Sequence, residues 1–302
     1  MPGKYIVTGG CGFIGSNLVK KLVDDGNEVV VVDNLSTGSL DNIKDSNGEK
    51  VRVLKSIDEL CGLEDSDGFD GIFHFGMPSS TPIYRDDRGL IGKTATDTVT
   101  LWEFAKDRKI KIVYASSSSM YNKQEPPFKE EMPVIPTDFY TEVRLFVERL
   151  ARVYYEFYGV KSVGLRLFSV YGENEKSKKN FANLISQIEW ARDNGETFEV
   201  YNEGKATRDF THVSDTIEAF MLAMKSDLDY DIINIGTGVS HTINQIMEAV
   251  GLKDFKYVGN PIKNYVADTL ADTSKAEKIL EFRAKVDVME YISKRRKNVG
   301  SG

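Results

Sequence analysis

Three regularly spaced glycines follow a short apolar run near the start of the chain and precede a helical pattern. The run is Tyr5–Thr8, and the glycines are Gly9, Gly12 and Gly15. In such a loop the first glycine permits a tight turn, the second lets the backbone approach a pyrophosphate, and the third lets the helix pack closely on the strand. The free N–H groups at the helix N-terminus can then donate to the anion. The spacing therefore predicts a dinucleotide-binding loop.

An acidic residue after the next apolar run indicates which dinucleotide would bind. Asp33 follows Val29–Val32, and dinucleotide-binding folds place a carboxylate on the adenosine ribose about 20 residues beyond the glycine loop. The same negative charge would repel a 2′-phosphate, so the pattern favours NAD over NADP. The alternative interpretation is an ordinary glycine-rich turn with an unrelated surface aspartate.

Strand and helix signals alternate through the first half of the chain. Continuous apolar runs are typical of strands that are buried on both faces of a parallel sheet. Such runs lie at Tyr5–Thr8, Val29–Val32, Gly71–Phe75, Ile110–Ala115 and Ser162–Leu167. Helical patterns lie between them, and the longest candidate is Phe139–Tyr158. This alternation predicts an α/β fold with a Rossmann-type, doubly wound parallel sheet.

The second half has a mixed pattern, which indicates a smaller C-terminal domain interleaved with the last strands of the sheet. Its candidate elements are helices near Phe181–Arg192, Asp215–Met224 and Ile243–Val250 and strands near Phe198–Tyr201 and Ile232–Ile235. We expect a dinucleotide-binding domain at 1–172 that also receives about 207–236, a smaller substrate-binding domain from 173–206 and 237–298, and a tail at 299–302.

The composition argues against several classes of protein. The formal net charge is −7 over 302 residues, so we expect neither nucleic acid nor an anionic membrane as the main partner. No apolar run approaches the roughly 20 residues that span a bilayer. The strand pattern that starts by Lys4 leads us to expect no signal peptide. The chain has two cysteines, Cys11 and Cys61, which favour a reducing, cytoplasmic location. With only three histidines in addition, we expect no structural zinc site.

Further motifs follow in one order along the chain, and with the glycine loop they resemble the extended short-chain dehydrogenase/reductases. The matching segments are residues 8–15, 32–38, 73–76, 115–121, 166–172, 208–213, 234–238 and 271–276. The branch that they resemble most contains the NAD-dependent nucleotide-sugar epimerases and dehydratases, and within it the UDP-glucose (UDP-galactose) 4-epimerases. The resemblance runs from about Lys4 to Phe282. It implies NAD as cofactor and a UDP-linked nucleotide-diphosphate sugar as substrate.

The resemblance implies a Tyr-x-x-x-Lys pair on a helix and a Ser or Thr at the end of the fifth strand. Tyr140, Arg144 and Ser117 occupy these positions. Residues four apart share one helical face, so Tyr140 and Arg144 can face the same ligand. A phenol is a poor base at neutral pH, but a neighbouring cation favours the phenolate. Tyr140 would then take a proton from a sugar hydroxyl that Ser117 also hydrogen-bonds, while hydride passes to the nicotinamide.

Arg144 departs from the family pattern, which has Lys at this position. Both side chains are cations that can donate to the nicotinamide ribose, but the arginine fork is larger and planar. Two interpretations remain open at this point. Either Arg144 performs the task with altered geometry, or the activity is weakened or redirected, in the extreme to an NAD-binding protein without turnover.

Two serines distinguish between the reactions of this family. The 4,6-dehydratases have Asp-Glu directly after the strand-end residue, and the decarboxylases have Glu at the second position. This chain has Ser118 and Ser119 there, and neither can act as acid or base at neutral pH. What remains is oxidation at one carbon and return of the same hydride to the other face, which is epimerisation through a 4-keto intermediate. A dehydratase-type oxidoreductase is the alternative, since a carboxylate from elsewhere in the chain would change this conclusion.

The resemblance also assigns ligand contacts along the chain, and none of them implies a metal. The cofactor contacts are Gly9, Gly12, Phe13, Ile14, Gly15, Asp33, Asn34, Ser56, Ile57, Phe75, Gly76, Thr94, Tyr140, Arg144, Phe168 and Val170. The substrate contacts are Ser79, Ser80, Thr81, Ser117, Ser118, Tyr140, Ser169, Asn180, Arg208 and Lys263.

The substrate assignments concern two anion contacts and one polar turn. Arg208 matches the diphosphate-binding arginine of the family, and its fork suits bidentate contact; the alternative is a surface salt bridge with Asp209. Residues 79–81 follow the fourth strand, at the carboxyl edge where ligands of this fold bind, or else they form only a turn. Lys263 lies near a second anion contact of the family.

Members of the family often dimerise by forming a four-helix bundle. The corresponding segments here are about Ala95–Arg108 and Phe139–Tyr158, and we therefore expect a homodimer. Leu145, Val153 and Phe157 could supply its apolar surface, although packing within the core would explain them equally well.

Overall fold

The computed structural model describes residues 2–46, 50–63, 68–260 and 265–299. Its strands are β1 Lys4–Thr8, β2 Glu28–Val32, β3 Val51–Leu54, β4 Gly71–His74, β5 Ile112–Ser117, β6 Ser162–Leu167, β7 Phe198–Tyr201, β8 Thr207–Asp209, β9 Tyr230–Ile235, β10 Ser240–Thr242 and β11 Phe255–Val258. Its helices are α1 Phe13–Asp24, α2 Ile57–Cys61, α3 Thr81–Asp86, α4 Gly89–Arg108, α5 Phe139–Tyr158, α6 Leu184–Asn194, α7 Val213–Lys225, α8 Ile243–Val250, α9 Ser274–Leu280 and α10 Val288–Val299.

The main sheet has seven parallel strands in the order β3-β2-β1-β4-β5-β6-β9. Successive side chains of a strand point to opposite faces, and each face here is covered by helices. On one face Val7 packs in a core with α1 and α7, and on the other Ile6 packs in a core with α4 and α5. This arrangement confirms the predicted α/β class and the doubly wound parallel sheet.

The elements predicted from long apolar patterns agree closely with the structure. The helix Phe139–Tyr158 and the strand Ser162–Leu167 have the expected bounds. Helix α6 begins at Leu184 rather than at Phe181, because the Asn183 side chain caps it by accepting from the Ile185 N–H at 3.0 Å. Strand β3 was not predicted, since it has only four residues and includes the exposed Arg52.

The C-terminal half forms a smaller mixed unit beside the sheet. Two short sheets pair β10 with β8 and β11 with β7, and a separate core joins α6, α8 and α10 through Ile188, Ile246 and Ile292. Strand β9 also comes from this half but lies at the edge of the main sheet, paired in parallel with β6. The chain therefore returns to the main sheet between two strands of the smaller unit, β8 and β10.

A buried ion pair fastens helix α5 to the sheet. Arg166 of β6 and Glu148 of α5 are each about 5% exposed, and their closest charged atoms lie 2.7 Å apart. Ser116 of β5 donates to the same carboxylate. Removing one partner of such a buried pair costs about 3–5 kcal/mol, so the pair holds α5 firmly against the ends of β5 and β6.

Within the described part of the chain, none of the helices combines the length and the apolar composition that a membrane span requires.

Candidate active site

The glycine loop has room for backbone only. Gly9 has a φ of +69°, and a Cβ on it would lie 2.8 Å from the carbonyl carbon of Phe75. A Cβ on Gly15 would lie 2.1 Å from the Gly9 carbonyl oxygen. No side chain caps α1, which begins directly after Gly12, so the N–H groups of its first turn, which include Phe13 and Ile14, are available to an anion. The loop therefore fits the pyrophosphate of a dinucleotide.

The carboxylate of Asp33 lies beside this loop, directly after β2. One oxygen accepts from the Cys11 N–H and the other from the Leu35 N–H, each at 2.8 Å. Asp33 is partly exposed, so its remaining lone pairs are open to ribose hydroxyls. Asn34 next to it is exposed. This pre-positioned negative charge is the group that the sequence predicted for NAD.

The other predicted cofactor residues after β3 and β4 lie at the same edge of the sheet as the loop. Ser56 caps α2 by accepting from the Glu59 N–H at 3.2 Å, and Ile57 is buried behind it. The Gly76 N–H donates to Thr8 Oγ1 at 3.0 Å, and the Phe75 ring packs 4.5 Å from that of Phe220. The structure thus brings the ends of β1, β2, β3 and β4 together along one edge.

The remaining cofactor assignments differ in exposure. Thr94 is buried between helices, where its hydroxyl donates to the Leu90 carbonyl at 2.7 Å and lies 3.2 Å from the Tyr84 hydroxyl. Phe168 is fully buried in a cluster of aromatic rings, whereas Val170 is partly exposed. Thr94 and Phe168 therefore contribute to packing around the site, and Val170 is the more accessible of the three.

Tyr140 and Arg144 lie one turn apart at the start of α5. Asp138 caps the helix by accepting from the Thr141 N–H at 2.9 Å. The guanidinium carbon of Arg144 lies 5.0 Å from the centre of the Tyr140 ring. Tyr140 is partly exposed at the edge of the sheet, whereas Arg144 is only 5% exposed. The phenol and the cation are therefore close together, as the resemblance implied.

Arg144 is held by backbone carbonyls from two neighbouring segments. Its Nη1 donates to the Ala115 carbonyl at 2.8 Å, two residues before Ser117, and its Nη2 donates to the Pro78 carbonyl at 3.2 Å. Its Nε is buried and has no hydrogen-bond partner in the described structure. A buried donor left without a partner costs about 1–3 kcal/mol, so this atom suits a ligand oxygen such as a ribose hydroxyl.

Ser117 and Ser118 lie where β5 ends. The Ser117 hydroxyl accepts from the Ser119 N–H at 3.1 Å, and Ser118 begins a short 3₁₀ segment that ends at Tyr121. A hydroxyl that accepts from its own turn still has its proton to donate. Ser117 can therefore donate to a substrate oxygen from a fixed position.

His74 is a packing residue at the end of β4. It is buried, its Nδ1 lies 2.7 Å from Thr8 Oγ1, and its ring contacts Trp102 edge-on. Burial, and then the positive charge of Arg144, lower the pKa of His74 to about 3. The imidazole is therefore neutral at physiological pH and does not act as a proton donor.

Backbone carbonyls hold the guanidinium of Arg208. Its Nη1 donates to the carbonyls of Thr207 and Ala267 at 2.7 and 2.9 Å, and its Nη2 to that of Val266 at 2.7 Å. Burial lowers its pKa. Asp209 does not pair with it, because that carboxylate accepts from backbone N–H groups on the opposite side, including those of residues 237, 238 and 271. The alternative of an Arg208–Asp209 salt bridge is therefore wrong.

The predicted substrate residues differ in their exposure. Ser79 is exposed, the Ser80 hydroxyl is buried without a partner in the described structure, and Thr81 begins α3. Asn180 is exposed. Lys263 lies outside the described residues.

An asparagine near Ser169 was missed by the sequence analysis. Asn183 Nδ2 donates to the carbonyls of Ser169 and Val170 at 3.1 and 3.0 Å, and so joins the start of α6 to the segment after β6. Ser169 itself has a φ of +27°. The helix-capping preference of asparagine is the signal that could have directed attention to Asn183.

Tyr84 was missed as well. It is fully buried on α3, and its ring centre lies 6.4 Å from that of Tyr140. No local pattern marks it, because its position depends on how α3 packs against α5.

Within the described ranges, no group of three or more His, Cys, Asp or Glu residues is arranged to hold a metal ion.

The glycine loop, Asp33 and the Tyr140–Arg144 pair all lie in the part of the chain that matches a known family. Residues 5–236 match the profile of the NAD dependent epimerase/dehydratase family. The chain belongs to this family. Its cofactor is therefore NAD, as the glycine loop and Asp33 predicted, and its activity is that of an NAD-dependent sugar epimerase in the broad sense.

Relatives in the family act on different sugars. The chain is 28% identical to a putative UDP-glucose 4-epimerase of Methanocaldococcus jannaschii over 96% of each protein. It is 30% identical to an ADP-L-glycero-D-manno-heptose-6-epimerase of Alkalilimnicola ehrlichii over 89% of each. The structure of a UDP-N-acetylglucosamine 4-epimerase from Methanobrevibacter ruminantium in complex with UDP-N-acetylmuramic acid superposes with a TM-score of 0.90, at 28% identity over 99% of each chain. The profile match shows the family, whereas the sugars named for these relatives differ from one another.

Proposed function

We propose that this protein epimerises the C4 position of a UDP-linked sugar through a 4-keto intermediate, with UDP-glucose and UDP-galactose as the first substrates to test. The observation that carries the proposal is the phenol of Tyr140 beside the buried guanidinium of Arg144, next to a loop that fits NAD. Relatives and neighbours named as UDP-sugar 4-epimerases support the choice of substrate class.

The side chains of the site divide the proton chemistry between them. Tyr140 takes the proton of the sugar hydroxyl as a general base, and the guanidinium carbon of Arg144 lies 5.0 Å from the centre of its ring. Ser117 donates to the same sugar oxygen. The glycine loop and Asp33 would hold NAD, which would supply the hydride acceptor and donor for the sugar carbon. On return, Tyr140 gives the proton back, so the side chains end as they began.

The surroundings of β5 favour epimerisation over elimination of water. Elimination needs an acid and a base beside the sugar, and Ser118 and Ser119 supply neither. Nearby carboxylates have other partners: Glu148 is paired with Arg166, and Glu130 accepts from the Asn234 N–H at 2.7 Å. A dehydratase-type reaction is therefore the second candidate and epimerisation the first.

A panel of UDP-sugars tests the proposal directly. NAD-loaded protein is incubated with each sugar, and products are separated and identified by mass and retention. We expect a reversible mixture of two C4 epimers from at least one UDP-sugar. A stable keto- or deoxy-sugar would indicate the dehydratase reaction, and no turnover despite bound NAD would refute both.

Arg208 is expected to anchor the diphosphate while the keto sugar rotates to present its other face. Replacing Arg208 by Leu removes charge-assisted hydrogen bonds that are each worth about 1.5–3 kcal/mol. We therefore expect KM for the UDP-sugar to rise about a hundredfold, and UDP itself to bind correspondingly more weakly in calorimetry. Arg283, whose side chain is 78% exposed, provides the control, and Arg283→Leu should change neither value. An unchanged UDP affinity in Arg208→Leu would contradict the assignment.

We also propose a homodimer formed through α4 and α5. Leu145 is buried in the protomer and cannot contribute, whereas Val153 and Phe157 are 45% and 74% exposed and Val99 on α4 is 38% exposed. These three side chains support an apolar contact between copies.

Two further expectations stay as proposals. The domain division at 172, 206 and 236 is supported by the separate core around α6, α8 and α10. A reducing, cytoplasmic location is supported by Cys11 and Cys61, which are both free thiols.

A further inference from the structure

Arg144 makes contacts that tie three parts of the site together. Its Nη1 lies 2.8 Å from the Ala115 carbonyl oxygen and 3.3 Å from Met77 Sδ, and its Nη2 lies 3.2 Å from the Pro78 carbonyl oxygen. Ala115 belongs to β5, whereas Met77 and Pro78 begin the segment that follows β4. One guanidinium on α5 therefore connects the strand that carries Ser117 to the turn that leads to residues 79–81.

These contacts need the fork of an arginine. A guanidinium presents donors in two directions in one plane, whereas a lysine has a single nitrogen at the end of a flexible stem. A lysine at this position could reach the Ala115 carbonyl or the Pro78 carbonyl. Its one nitrogen could not take the positions of both Nη1 and Nη2, so one of the two hydrogen bonds would be lost. The arginine is thus more than a substitute charge.

The turn held by Arg144 leads directly into polar side chains and then into α3. The Ser80 hydroxyl is buried without a partner among the described residues, so it is available to a ligand. Further along α3, Tyr84 packs within 6.4 Å of the Tyr140 ring centre. Displacement of the turn would therefore move both the hydroxyls beside the sugar position and the ring that supports Tyr140.

We propose that Arg144 is a positioning residue for the segment Met77–Thr81, in addition to being the cation beside Tyr140, and that this second task sets how tightly the sugar part of the substrate is held. The role in substrate affinity rests on the proposed epimerase function. The contact between Arg144 and the segment does not.

Hydrogen exchange tests the contact without any substrate. NAD-loaded wild-type protein and Arg144→Lys are compared by mass spectrometry, with Arg149→Lys as the control because Arg149 is an exposed arginine on the same helix. We expect the hydrogen-bonded amides in the peptide covering 77–87, which include those of Met77 and Asp87, to exchange at least about ten times faster in Arg144→Lys, and at the wild-type rate in Arg149→Lys. Equal exchange in Arg144→Lys and wild type would overturn the proposal.

Steady-state kinetics tests the consequence for the substrate. For the UDP-sugar that is turned over, we expect KM to rise about tenfold in Arg144→Lys while kcat falls less than threefold and NAD content stays within twofold of wild type. A gain in kcat/KM in Arg144→Lys would overturn the proposal, since it would mean that the arginine merely impairs the site. If no UDP-sugar is turned over, the epimerase function fails, and the exchange result still decides the contact.

A second variant covers the case in which Arg144→Lys does not fold. Met77→Leu keeps the volume of the side chain and removes only the sulfur acceptor. We expect faster exchange in the same 77–87 peptide, by a smaller factor than in Arg144→Lys, and no change elsewhere. Unchanged exchange in Met77→Leu, with Arg144→Lys unfolded, would also count against the proposal.

Discussion

Replacing Tyr140 by Phe is expected to lower kcat for UDP-sugar epimerisation by at least about a thousandfold, within the range for loss of a general acid–base group. The phenol hydroxyl is the group that exchanges a proton with the sugar, and phenylalanine keeps the ring but not that hydroxyl. NAD content should stay as in the wild type, because the glycine loop and Asp33 are untouched. Product analysis and the absorbance of NAD released on denaturation measure the two quantities.

The matched control for this variant lies on the same helix. Tyr155 is stacked on Tyr230 with ring centres 5.8 Å apart, away from the start of α5. Tyr155→Phe should therefore keep both turnover and NAD content. If Tyr140→Phe kept more than about a tenth of the wild-type kcat, another group would have to be the proton acceptor, and the mechanism proposed above would be wrong.

Replacing Gly15 by Ala is expected to abolish NAD binding. The added methyl would lie 2.1 Å from the Gly9 carbonyl oxygen, a separation that no rotation of a side chain can relieve because both groups are backbone-fixed. The loop or α1 must shift, and overpacking of this kind costs about 1–3 kcal/mol or more. We expect the purified variant to carry less than about a tenth of the wild-type NAD.

A second glycine shows whether the effect is specific to the loop. Gly92 lies inside α4, and a Cβ on it would meet nothing within 4 Å. Gly92→Ala should keep full NAD content and gain stability, since alanine is favoured over glycine in a helix by about 1 kcal/mol. Thermal unfolding monitored by fluorescence measures the gain. Full NAD content in Gly15→Ala would show that the loop does not approach the pyrophosphate.

Local patterns predicted the elements and residues whose task is set by neighbours in the chain. The glycine loop was found from the regular spacing of its glycines after an apolar run, and Asp33 because it follows a strand at a regular distance. Helix α5 was found from twenty residues of continuous helical pattern. In contrast, β3 was missed, because a four-residue strand with one exposed arginine has too short a pattern to identify.

The partners of the charged side chains could not be predicted in the same way. Sequence analysis left Arg208 between a diphosphate contact and a salt bridge to its neighbour Asp209. The structure decided against the salt bridge, because strand alternation sends adjacent side chains to opposite faces. Asn183 and Tyr84 were missed for a related reason, since their neighbours come from the segment after β6 and from α5.

The sequence alone determined the fold class and the NAD loop, because each depends on spacing and hydrophobic pattern along the chain. Its resemblance to the family added the assignment of Tyr140 and Arg144, which stays a prediction. Only the tertiary structure decided what Arg144 does. Its partners at Ala115 and Pro78 lie 29 and 66 residues away, and both are backbone carbonyls, which every residue carries. A carbonyl has no signature in the sequence, so its role appears only when β4, β5 and α5 are packed together.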